Sequence, residues 1–106
     1  MISPPVDFPA FRALSATLGK DPLRVQSAGG NTSLKHDGVM WIKASGTELA
    51  DAETGDIFVA VDHEAARAEA GGAGDGSCKA TILDPSVALR PSIETTFHAI
   101  FDWRIV

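Results

Sequence analysis

Two turns rich in hydrogen-bond donors, Gly29-Gly30-Asn31-Thr32-Ser33 and Ala44-Ser45-Gly46-Thr47, carry chemistry suited to a small anion. Glycine lets the backbone turn its N–H groups toward one point, and the Asn, Ser and Thr side chains add donors. Neither turn is a Walker loop, because no Gly-Lys-Ser/Thr follows, and neither is a GxGxxG fingerprint. Each alone also reads as an ordinary turn that satisfies itself through its Asn or Ser side chain. The pair is stronger than either member, since a hairpin between them returns the chain to the same end of a sheet. The two turns together are therefore the candidate anion site.

Glu94 is the candidate acid/base. It opens the last apolar helix of the chain, where Ile93, Thr96, Phe97, Ile100 and Phe101 recur at helical spacing. With Ile93, Phe97 and Ile100 facing inward, the 100° step per residue puts Glu94 at the edge of the stripe. Partial desolvation there suits proton transfer, whereas an ordinary acidic first-turn residue is the plainer alternative. Ser92 is expected to cap this helix or to donate to a substrate at its start.

Other reactive residues carry less. His36, His63 and His98 show no HxH or HxxxH spacing and read as surface or boundary residues. Cys78 has only Lys79 nearby to activate a thiolate. Trp41 and Trp103 read as core residues.

The elements that must position these groups can be read along the chain. Asp7 is placed to cap a helix through Phe11, Leu14 and Leu18, with Pro9 in its first turn and Gly19 at its end. Asp21-Pro22 favours an extended segment over residues 23–26, and residues 27–31 read as a tight turn. Asp37-Gly38 between two β-prone runs predicts a hairpin of residues 32–35 and 39–43. A buried strand is expected over residues 57–61, followed by a helix over 63–70 capped by Asp62. Residues 71–77 hold four glycines and read as a flexible loop. Arg104-Ile105-Val106 looks like the start of a strand. The order predicts mixed α/β with a partly antiparallel sheet.

A chain of 106 residues with 44% hydrophobic and 22% charged residues has the composition of one globular domain. Nine scattered basic residues in a chain of net charge −5 argue against a nucleic-acid or anionic-membrane surface. A single cysteine, no signal-like N-terminus and no long apolar run predict a cytoplasmic protein without a membrane span. The glycosylation pattern at Asn31-Thr32-Ser33 carries no weight in that compartment.

Taken in order, GGNTS at 29–33, WIKASGT at 41–47 and RPSIETTFH at 90–98 resemble the N-terminal part of the class II aldolase/adducin family. The wording is closest to bacterial rhamnulose-1-phosphate aldolase-type members. The resemblance covers residues 8–106 and implies a three-layer α/β/α domain around a mainly antiparallel sheet. It implies a substrate-phosphate site of Gly30, Asn31, Ser45, Gly46 and Ser92, with Glu94 as the catalytic acid/base. It also implies carbon–carbon lyase chemistry on a small sugar phosphate, aided by a divalent metal such as zinc that stabilises an enediolate. Family enzymes are often tetramers. Adducin-like assembly modules, epimerases, decarboxylases and dehydratases share the scaffold.

Two departures qualify the match. Ile93 stands where members with a full phosphate site often carry a second serine, which makes a carboxylate or smaller anion more plausible. The family's His-x-His metal pair lies further along than Val106. The expectation is thus a fragment of the domain that holds no metal alone and exposes faces the remainder would cover.

Overall fold

The computed structural model describes residues 3–25, 29–84 and 89–106. Helix α1 (Phe8–Gly19) accepts Pro9 in its first turn, where the missing N–H costs no intrahelical bond. Asp7 holds the N-cap position but its side chain makes no capping bond. Its two carboxylate oxygens instead accept Arg104 Nε and Nη2 at 3.0 and 2.7 Å, tying the start of α1 to residue 104. At its other end α1 runs against the 3-10 turn Leu49–Asp51. A Cβ on Gly19 would lie 2.3 Å from Ala50 N, so only glycine allows this approach of two backbones. The segment after Asp21 is a turn rather than extended: Arg24 and Val25 both donate to Asp21 O at 3.0 Å. Gln26 and the first two residues of the turn expected over 27–31 lie outside the described residues.

The hairpin forms as Asp37-Gly38 dictates. Strands β1 (Ser33–His36) and β2 (Val39–Lys43) are joined by residues with φ 50° and 78°, the two positive values a type I′ turn requires. Strand β3 (Phe58–Asp62) pairs antiparallel with β2, giving the order β1-β2-β3. Residues 104–106 dock along β1, with Lys35 N to Arg104 O at 2.7 Å and Ser33 N to Val106 O at 2.9 Å. The described residues form a mixed α/β domain of three α-helices and a three-stranded antiparallel sheet.

Strand alternation buries both faces of this sheet. Leu34, Trp41 and Phe58 pack with Phe11 and Ala16 of α1. Met40, Ile42, Val59 and Val61 pack with Ala66 of α2 (His63–Ala70), Cys78, and Ala99 of α3 (Thr95–Ala99). Asp62 caps α2 as expected, its Oδ1 accepting from Ala65 N at 3.0 Å. The glycine-rich residues 71–76 are exposed, but the loop is anchored: Glu69 Oε1 accepts the N–H of Gly76 and of Cys78 at 3.1 and 3.0 Å. Cys78 itself is buried, and its thiol is pushed up to about 11, chiefly by burial and then by the Glu69 charge.

Helix α3 turns the opposite way from the sequence expectation. Its buried residues are Thr95, His98 and Ala99. Ile93 (88% exposed), Phe97 and Ile100 face outward, and Trp103 is exposed rather than in the core. The polar face can be buried because its groups find partners. Thr95 Oγ1 donates to Ser92 O at 2.6 Å, and His98 Nδ1 lies 2.8 Å from Ser33 Oγ. His98 is thus a core residue, not a boundary one, and burial holds its imidazole below the ordinary pKa. Outside, Phe97, Phe101 and Trp103 form a chain of ring contacts with centroids 5.2 and 5.3 Å apart. Phe97→Ser should therefore change stability by less than about 1 kcal/mol in dilute chemical denaturation. A loss of about 3 kcal/mol, the cost of truncating a core phenylalanine, would put Phe97 inside instead.

Candidate functional site

The site is assembled by what happens at the end of β2. Ala44 bridges antiparallel to Pro91, Ser45 N donates to Arg90 O at 2.8 Å, and Ser92 N donates to Lys43 O at 3.0 Å. Residues 90–92 therefore run beside the Ser45-Gly46 turn. Asn31, two residues before β1, completes the group: its Nδ2 donates to Ser92 Oγ at 2.5 Å across 61 residues of sequence. The result is a concavity of about 210 Å³ lined by Gly29, Gly30, Asn31, Lys43, Ser45, Gly46, Ser92, Ile93 and Glu94. All six residues singled out from the sequence, at 30, 31, 45, 46, 92 and 94, line it.

Two glycines shape the walls for different reasons. Gly30 has φ +81°, and a Cβ there would also press to 2.8 Å from Val25 Cγ2. Gly46 has φ +80° with open space where a Cβ would stand, so conformation alone requires glycine there. Ser92 Oγ accepts from both Asn31 Nδ2 and Glu94 N, the latter at 3.2 Å. Its lone pairs are then used and its proton remains for donation. Asn31 Oδ1 is buried without a hydrogen-bond partner. Rotating the amide by 180° would let that oxygen accept the Ser92 hydroxyl and leave the NH₂ in its place.

Glu94 does not sit where the sequence argument put it. It occupies the N-cap position of α3 in place of Ser92, is exposed, and is not desolvated by the apolar stripe, which faces away. What it faces is Lys43, the lining residue that sequence reasoning missed. Lys43 is 2% exposed, and its Nζ donates to Thr47 O at 2.6 Å and Ala44 O at 3.3 Å. Burial holds its ammonium below the ordinary lysine range, and the Glu94 carboxylate works in the opposite direction. A positive charge thus lies beneath the Ser45-Gly46 turn, paired to the carbonyls of its own turn. The available signal was a lysine in line with Val39 and Trp41 on the α1 side of β2, directly before a Ser-Gly turn.

A larger concavity of about 440 Å³ lies at the hairpin end, lined among others by Lys35, His36, Glu64, Arg67, Asp102 and Arg104. Its arginines are already engaged, Arg67 with Asp102 and Arg104 with Asp7. Such compensated charges leave less for a ligand than the donors around Asn31. Among the described residues no three His, Cys, Asp or Glu side chains converge to hold a metal ion. No helix among them is long and apolar enough to cross a membrane. Comparison with protein-family models, with curated proteins and with solved structures finds no match to this chain.

Proposed function

We propose that the concavity between Asn31, Ser45, Gly46 and Ser92 binds the anionic group of a small phosphorylated or carboxylated substrate, and that Glu94 moves a proton at the adjoining carbon. The observation that carries this reading is the convergence of three separate chain segments on one small volume with an unpartnered Asn31 polar atom inside its wall. An unsatisfied buried amide costs about 1–3 kcal/mol, a cost that a bound ligand can relieve. With the Asn31 amide rotated so that its oxygen accepts the Ser92 hydroxyl, the NH₂ takes the unpartnered place and, with the Lys43 charge, favours an anion. Ile93 at the rim adds no donor, so a carboxylate fits as readily as a phosphate.

On this reading the fold is of the class II aldolase/adducin type, three-layered α/β/α, and acts as a carbon–carbon lyase on a small anionic sugar or keto substrate. The packing of α1 on one sheet face and of α2 and α3 on the other supports that architecture. Glu94 is the lone carboxylate lining the concavity. The role of Glu94 is to accept a proton from carbon next to a carbonyl and return it, with the Lys43 ammonium lining the same concavity. The exposed Ile93, Phe97, Ile100 and Trp103 favour a second, compatible reading as a homo-oligomer or an adducin-like assembly module.

The test is anion binding by the chain, followed by amide chemical shifts of residues 29–31 and 45–46 on titration with inorganic phosphate. Asn31→Ala should weaken binding about tenfold, the equivalent of one charge-assisted hydrogen bond. Glu94→Gln should leave binding within about threefold, and wherever turnover is measured should cost about 10²–10⁴ in rate. Shifts absent from both turns at saturating phosphate and at saturating acetate would end the anion-site reading.

A further inference from the structure

A second concavity of about 230 Å³ adjoins the first, sharing Ser45 and Ile93 and otherwise lined by Ser77, Lys79, Arg90 and Pro91. The junction is fixed by backbone, because Ser45 N donates to Arg90 O at 2.8 Å and Pro91 bridges Ala44. Arg90 and Lys79 are exposed. No carboxylate lies within ion-pair distance of either side chain among the described residues. Asp75, the acid whose carboxyl feels Lys79, has its Oδ1 occupied by Ser77 N and Oγ at 2.9 and 2.6 Å. Across both linings three cations, Lys43, Lys79 and Arg90, face the single carboxylate of Glu94. That local excess of positive charge stands out in a chain of net charge −5.

Size points the same way. Pockets for organic ligands usually measure about 300–1,000 Å³, and neither concavity reaches that alone, whereas the joined pair does. Building on the anion-site reading above, we propose that the substrate is a two-ended acid: one anionic group sits at Asn31–Ser92, the chain crosses over Ser45, and a second carboxylate or phosphate meets Lys79 and Arg90. This places Glu94 beside the middle of the molecule, next to the first anionic group, and makes Arg90 and Lys79 the residues that select length and charge.

The experiment compares two ligands that differ only at the far end, glycerol 3-phosphate and 3-phosphoglycerate, titrated into the chain by NMR at fixed ionic strength. Wild type should bind 3-phosphoglycerate about tenfold tighter, even though the net charge of the protein opposes the more negative ligand. Lys79→Ala/Arg90→Ala should bring the two affinities within twofold of each other and leave glycerol 3-phosphate unchanged. Asn31→Ala should weaken both alike. If glycerol 3-phosphate binds at residues 29–31 and 45–46 but 3-phosphoglycerate binds no tighter, or if the preference survives in the double variant, the two-ended substrate is wrong and the anion site stands. If neither ligand binds, both fall together.

Discussion

Phe11→Ala is expected to remove about 3–5 kcal/mol of stability, the largest single loss we anticipate in this chain. The Phe11 ring is 2% exposed and lies 4.9 Å from Phe58 and 5.9 Å from Phe8, centroid to centroid, within the cluster that includes Trp41. Helix α1 has few terms of its own to hold it. Its Asp7 makes no cap bond, its first turn has no acidic residue and its last turn no basic one. A 12-residue helix without those terms is marginal in water and depends on its buried face. Domains of this size are stable by only about 5–15 kcal/mol, so the variant should be partly unfolded near room temperature. Each kcal/mol corresponds to a fall in Tm of about 4–8 °C for a chain near this length. Urea titration followed by the fluorescence of Trp41 and by far-ultraviolet circular dichroism measures it. A loss below about 1 kcal/mol would mean that α1 is not packed through Phe11.

That expectation was accessible from the sequence, as were the features whose cause is local. Asp37-Gly38 specifies its hairpin because two consecutive positive φ values admit few residue pairs. Asp62 specifies the start of α2 because its carboxylate can reach the Ala65 N–H. The turns at 29–33 and 44–47 stood out for the same reason, a density of donors and glycines that an ordinary turn does not need, while the choice of Gly30, Asn31, Ser45, Gly46 and Ser92 within and beyond them came from the family resemblance. Bringing them together took only the β1–β2 hairpin and the Ala44–Pro91 bridge.

What stayed hidden depends on contacts between distant segments. Periodicity says that Ile93, Phe97 and Ile100 share a face, but not which face of α3 meets the sheet. Here Ser33 Oγ waits beneath for His98 Nδ1, and the Thr95 hydroxyl closes on Ser92 O, so the polar side is the complementary one. Asp7 reads locally as a cap, yet Arg104 offers it two charge-assisted bonds from the other end of the chain. Lys43 and Lys35 did not stand out in the sequence, yet their strands are covered on both faces and each lysine is buried to 6% exposure or less. The exposed Phe97 and Trp103, with half-buried Phe101 between them, are the counterpart of the same inversion.

Lys35 supplies the other large effect, and its sign runs against intuition: Lys35→Met should stabilise the protein at pH 7 by on the order of 2 kcal/mol. Its Nζ donates to Trp103 O at 3.1 Å, and no carboxylate forms an ion pair with it among the described residues. Burial pushes the Lys35 ammonium down to about 8, the Arg67 charge adds to that, and Asp102 opposes it. The folded chain then holds this proton less tightly than the unfolded chain, whose lysines titrate near 10.4. Between pH 8 and about 10.4 the unfolded state binds more protons, so wild-type stability gains from this residue as pH rises through that window. Below pH 8 the full penalty is present. Cys78 works the other way: its raised thiol pKa withdraws stability once pH passes the ordinary thiol value. Because Cys78 is common to both proteins, the difference between the wild-type and Lys35→Met curves isolates the lysine. Urea unfolding at pH 7, 8, 9 and 10 should show the variant ahead at pH 7 and the gap closing toward pH 10. A variant less stable than wild type at pH 7, or two curves that run parallel across the series, would show that the ammonium is well solvated and that Lys35 is not the strained cation beneath α3.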